Sequence, residues 1–79
     1  MAKAYVLLKV KPGNERSIVK ELKELPEIEA INELYGEWDI ITMVSVASID
    51  ELDALISEKM RRIEGVTITS TMIVADYTY

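Results

Sequence analysis

The sequence predicts an α+β fold of the ferredoxin-like type, β-α-β-β-α-β, in which a four-stranded antiparallel sheet carries two helices on one face. Three observations predict it. Two amphipathic segments each have a helix start signal and a stop signal. Four strand-like runs flank them in the order strand, helix, strand, strand, helix, strand. The chain also divides into two halves, each a strand, a helix and another strand. Right-handed crossovers then place both helices on the same side of the sheet.

The first strand is expected over residues 4–11, which are rich in Val and Leu and end at Pro12-Gly13, a strong stop. Asn14 is placed to cap a helix over residues 15–25, whose Ile18, Val19, Leu22 and Leu25 share one face. Pro26 ends it. A second strand is expected over residues 28–35 and a third over residues 40–46, joined by the turn Gly36-Glu37-Trp38-Asp39. Ser48-Ile49-Asp50-Glu51 has the S-x-x-E form of a capping box. The helix after it carries Leu52, Leu55, Ile56, Met60 and Ile63 on one stripe, with Glu58 and Arg62 four apart on its solvated side and Gly65 just beyond. Residues 66–75 read as the last strand, where Thr67, Thr69 and Thr71 alternate with Ile68, Ser70 and Met72.

With 79 residues the chain has room for one core, so residues 1–79 are read as a single domain. Its longest apolar runs are far too short to span a membrane, and the start Met1-Ala2-Lys3-Ala4 passes directly into a strand without a signal-peptide stretch. A cytoplasmic location is the expectation. The net charge of −5 and the lack of any broad Lys/Arg patch argue against direct binding to nucleic acid.

Two helices cover only one side of such a sheet, so its strands should alternate between apolar and polar residues. They do so poorly. Tyr5 and Leu7 oppose Val6, Leu8 and Val10, and Ile41 and Met43 oppose Ile40, Val44 and Val46. An open face carrying such residues would be a large exposed apolar patch, which soluble monomers rarely tolerate. A homodimer packed sheet to sheet is the expected outcome.

Catalysis is poorly provisioned. With no His and no Cys, neither a Ser-His nor a Cys-His arrangement can form, and the three glycines are too scattered for a phosphate loop. Most carboxylates lie on helix faces, where solvation explains them, so no catalytic residue, metal site or cofactor is expected. Asp39 stands apart because its turn brings together a carboxylate, an indole and bare peptide groups. The structural role of such an Asp is to bond the turn's own amides. Its chemical potential is different: backbone amides and Thr hydroxyls can hold a carboxylate, while Asp39 accepts an ammonium, which is what a free amino acid requires.

Several short motifs then combine: Ala4-Tyr5-Val6-Leu7, Lys11-Pro12-Gly13, Gly36-Glu37-Trp38-Asp39, Leu52-Asp53, Gly65-Val66-Thr67 and Thr69-Ser70-Thr71. In this order and spacing the chain resembles the effector-binding domain of the Lrp/AsnC transcription regulators, the regulation-of-amino-acid-metabolism (RAM) domain. The resemblance runs over nearly the whole length. It implies a ferredoxin-like domain that dimerises through its sheets and assembles further, commonly as four dimers in an octamer, with amino-acid effectors near the contacts between dimers. It places the effector at Gly36 and Asp39 of the G-x-x-D turn, at the flanking Tyr35 and Trp38, and at Thr69, Ser70 and Thr71. Most members also carry an N-terminal helix-turn-helix, whereas this chain opens on the first strand. The chain is then either a fragment of such a regulator or, as the Met1 start favours, a stand-alone form that binds effectors by itself or joins full-length regulators in mixed oligomers. Two other readings compete: an oligomerisation module that needs no effector, and a cofactor-independent enzyme of the dimeric ferredoxin-like type, which the missing His disfavours.

Overall fold

A computed structural model describes residues 2–75 of the chain, so the initial Met1 lies outside it. The strands are β1 (Ala2–Val10), β2 (Ile28–Glu33), β3 (Ile40–Val46) and β4 (Val66–Ile73); the helices are α1 (Glu15–Leu22) and α2 (Ile49–Ala54). The order β-α-β-β-α-β is the predicted one. The strands lie in the order β2-β3-β1-β4, every pair antiparallel, with β1 and β3 in the middle and β2 and β4 at the edges.

Alternation along β1 and β3 builds the core. Ala4, Val6, Leu8 and Val10 of β1 and Ile40, Val44 and Val46 of β3 are buried against Ile18 and Leu22 of α1 and Leu52 of α2. Thr42 is the one buried polar side chain of this layer, and its hydroxyl donates to the Val6 carbonyl at 3.0 Å, which satisfies it. The other side of the sheet carries Tyr5, Leu7, Ile41, Met43, Ile68 and Met72, and no helix covers it. Ile68 and Met72 remain about half exposed there, at 53% and 50%. The fold thus has the two apolar sides that the poor alternation predicts.

Local differences from expectation have identifiable causes. α1 stops at Leu22 rather than at residue 25. The Glu24 and Leu25 amides bond the carbonyls three residues back, Glu21 and Leu22, so the chain tightens into a 3₁₀ turn before Pro26. Asn14 does not cap α1 with its side chain, because its backbone is helical (φ −96°, ψ −3°) rather than extended. Glu15 accepts from the Gly13 amide instead, at 2.8 Å. Asn14 packs against Gly65, whose φ is +98° and where an added Cβ would sit 2.8 Å from Asn14.

α2 starts as predicted, with the Glu51 amide donating to the Ser48 hydroxyl at 3.2 Å. It then continues as a π-helical segment over Leu55–Met60, and the Arg61 amide reaches back five residues to the Ile56 carbonyl at 2.9 Å. Leu55, Ile56 and Met60 are all buried, so the wider turn still faces the core. It also breaks the i,i+4 geometry on the outer side. The ion pairs among the described residues are Lys3–Glu29 and Lys59–Glu27, both at 3.5 Å, and not Glu58–Arg62.

Candidate functional site

The connection between β2 and β3 borders a hollow of the surface. The Leu34 amide donates to the Asp39 carbonyl at 2.8 Å, which closes a loop and pushes residues 35–38 outward. Gly36 sits at φ +138°, a value that side-chain-bearing residues rarely adopt. The amides of Tyr35, Gly36, Glu37 and Trp38 find no partner among the described residues, so four donors stand free at one strand end.

Asp39 does not bond those amides, contrary to the structural role expected of it. In the β1–β3 register Ile40 faces Leu8, and there β3 begins. The Val10 amide further along β1 therefore has no backbone partner on that side. Asp39 Oδ2 takes it at 2.8 Å, while the Asp39 amide donates to the Leu8 carbonyl at 3.0 Å. The carboxylate extends the ladder as a side chain and keeps its second oxygen for another donor.

Trp38 is half buried, and Lys9 Nζ lies 5.7 Å from its ring centroid, within cation–π range. The ring is thereby held over the end of β1. Tyr35 is fully exposed. Around the loop lies a cavity of about 490 Å³ lined by Glu15, Glu33, Leu34, Tyr35, Gly36 and Asp39. That volume falls within the roughly 300–1,000 Å³ span of small-molecule sites.

Of the residues the sequence pointed to, Tyr35, Gly36 and Asp39 line this cavity, and Trp38 does not. Thr69, Ser70 and Thr71 lie elsewhere in the protomer. Leu8 pairs with Ile40 on one side and Thr69 on the other, so Thr69 is two strands away from the turn, about 10 Å. Nor do the three share a face. Thr69 and Thr71 face the helices, where Thr69 Oγ1 accepts from Arg61 Nε at 3.1 Å and Thr71 borders a hollow of about 200 Å³ with Ile49 and Arg61. Ser70 opposes Leu7 on the uncovered side. Thr67 falls at a bulge where β4 gains a residue against β1, and its hydroxyl donates to the Lys9 carbonyl at 3.0 Å.

Sequence reasoning missed Glu15 and Glu33. Glu15 belongs to the helix-face carboxylates that solvation explains, and nothing in the sequence pattern singles out Glu33. The usable signal was topological: the start of α1, the end of β2 and the start of β3 all lie at the same end of the sheet. The three carboxylates ring the cavity without clustering, and no group of three His, Cys, Asp or Glu among the described residues is placed to hold a metal ion. What the arrangement offers is a cavity lined by three carboxylates and by part of a loop whose amides have no partner among the described residues.

Comparison with known proteins bears on the sequence and the fold. The sequence profile described as the Lrp/AsnC ligand binding domain matches residues 3–77. An uncharacterised helix-turn-helix-type transcriptional regulator of Pyrococcus abyssi is 36% identical over 70 residues, which cover 89% of this chain and 44% of that protein. The chain thus spans about half the length of the curated relatives it matches. Among solved structures, a hypothetical protein of Pyrococcus horikoshii has a TM-score of 0.89 at 34% identity, covering 98% of this chain and 93% of its own. A Neisseria meningitidis transcriptional regulator, solved as an L-Met complex, has the same fold with a TM-score of 0.89 at 13% identity, covering 95% of this chain and 50% of its own. The profile match over almost the entire sequence, on a fold shared with these proteins, shows that the chain belongs to the Lrp/AsnC ligand-binding-domain family.

Proposed function

We propose that the chain is a non-catalytic, amino-acid-sensing regulatory domain of the Lrp/AsnC type, acting in the cytoplasm through its state of assembly. The observation that carries the reading is the 34–39 loop, where the Tyr35–Trp38 amides have no partner among the described residues and Tyr35, Gly36 and Asp39 line a cavity of small-ligand size. Amides bind an α-carboxylate and the free oxygen of Asp39 binds an α-ammonium. The L-Met complex of the Neisseria regulator supports the ligand class. Thr69, Ser70 and Thr71, which sit apart from the loop within one protomer, enter the site from a neighbouring copy. Two protomers pair through their uncovered sheet faces, and dimers associate further, up to an octamer. An effector held where copies meet then shifts the oligomer, whether this chain assembles with itself or with full-length regulators of its family.

Isothermal titration against the twenty amino acids, with native mass spectrometry alongside, tests the proposal. At least one amino acid is expected to bind and to change the oligomer distribution. If none does either, the sensing role fails.

A second reading has its own support. The apolar sheet face with Tyr5, Ile68 and Met72 would make an oligomerisation module on its own, and Asp39 already has a structural partner in Val10. In that case Asp39→Ala would weaken the fold while assembly ignored every amino acid.

A further inference from the structure

The cavity carries more negative charge than a neutral zwitterion needs. An α-amino acid brings one ammonium and one carboxylate, for which Asp39 and the loop amides suffice. Glu15 and Glu33 are additional. One comes from the first turn of α1 and the other from the last residue of β2, and no Lys or Arg is among the six lining residues. The bond from the Gly13 amide at 2.8 Å fixes one oxygen of Glu15 and leaves the other open. Glu33 is exposed and has neither a hydrogen bond nor an ion pair among the described residues. The carboxylates are not spaced to share a metal ion. An organic cation on a long side chain is not bound by that spacing, since it needs only one carboxylate partner at a time.

Resting on the effector site proposed above, we infer that the effector is a cationic amino acid, one with an ammonium or guanidinium at the far end of its side chain, and that Glu15 and Glu33 select it. The loop amides take its α-carboxylate and Asp39 its α-ammonium. The side chain runs along the cavity over Leu34, and its far charge lies between the two glutamates. An acidic amino acid is refused by the same groups, because its side-chain carboxylate would meet theirs. A neutral apolar one gains little beyond Leu34 and the Tyr35 ring.

Calorimetry with the full chain and all twenty amino acids tests this. L-Lysine and L-arginine are expected to bind at least about tenfold more tightly than L-leucine and L-methionine, the size of one hydrogen bond to a charged group. L-Glutamate is expected to give no heat. Because the cavity is open to solvent, the preference should shrink as salt is raised. Glu15→Gln and Glu33→Gln keep side-chain size, and the amide oxygen at position 15 still accepts from Gly13. Each should remove most of the preference for lysine and arginine over leucine and methionine. Equal or tighter binding of leucine or methionine, or a preference that persists when both glutamates are replaced, overturns the inference and leaves the effector site standing. Silence with all twenty overturns the effector site and the inference with it.

Discussion

Gly36 and Gly65 both sit at positive φ, yet they make different demands. At Gly36 an added Cβ would meet nothing within 4 Å, so Gly36→Ala costs only the backbone strain, about 1–3 kcal/mol. At Gly65 the same change adds a clash with Asn14 at 2.8 Å, in a segment where the Lys11 amide bonds the Gly65 carbonyl at 2.8 Å. Gly65→Ala is therefore expected to lose more stability in urea unfolding, and Asn14→Gly in the same chain should recover the excess and no more. Equal losses for the two alanine variants would show that the Asn14 contact does not matter. Asp39 separates folding from binding. Asp39→Ala strands the Val10 amide and should cost about 1–3 kcal/mol. Asp39→Asn keeps an acceptor there and should retain most of that stability, yet lose amino-acid binding in calorimetry. Full affinity in the Asn variant would remove the carboxylate from the site.

The two helices show what local sequence can and cannot specify. Each begins at a residue that caps well, but only Ser48 does so, because its extended backbone (φ −153°, ψ 166°) aims the hydroxyl at the Glu51 amide. Ser48→Ala should then lower stability by about 1 kcal/mol. Asn14→Ala should cost less, since no capping bond is lost. Thermal unfolding of the two variants decides the order, and equal losses would contradict it. The presence and place of α1 and α2 were legible in their apolar stripes. The π-helical turn at Leu55–Met60 was not, since Leu55, Ile56 and Met60 lie on one face in either kind of helix. The end of α1 was misjudged because Leu25 continues the stripe and is half-buried beside the core, although the chain there has already left the helix.

At the scale of the molecule, the strand order decides which parts of the site the sequence could reveal. The Gly36–Asp39 turn is contiguous, so its residues were found together. Glu15 and Glu33 reach the same cavity only because α1 packs over the β2–β3 half of the sheet, a fact no single segment contains. That Thr69 and Thr71 share one side of β4 and Ser70 takes the other was legible in the alternation, but their separation from the turn depends on the strand order, which no segment states. The uncovered face can be tested by substitution. Tyr5 and Met72 oppose each other there across β1 and β4. Met72→Lys would bury a charge in any sheet-to-sheet contact, and light scattering is expected to move from dimer toward monomer while the circular dichroism stays that of the parent. An unchanged dimer would place association on another surface.

Trp38 is the chain's single tryptophan; it directly precedes the cavity-lining Asp39 in the chain, and its ring lies 5.7 Å from the ammonium of Lys9, a residue on the uncovered sheet face. Its fluorescence is thus an optical probe built into the protein at the junction of both surfaces. Effector titration and self-association should each perturb its emission, and dilution at fixed effector will tell the two signals apart without any label.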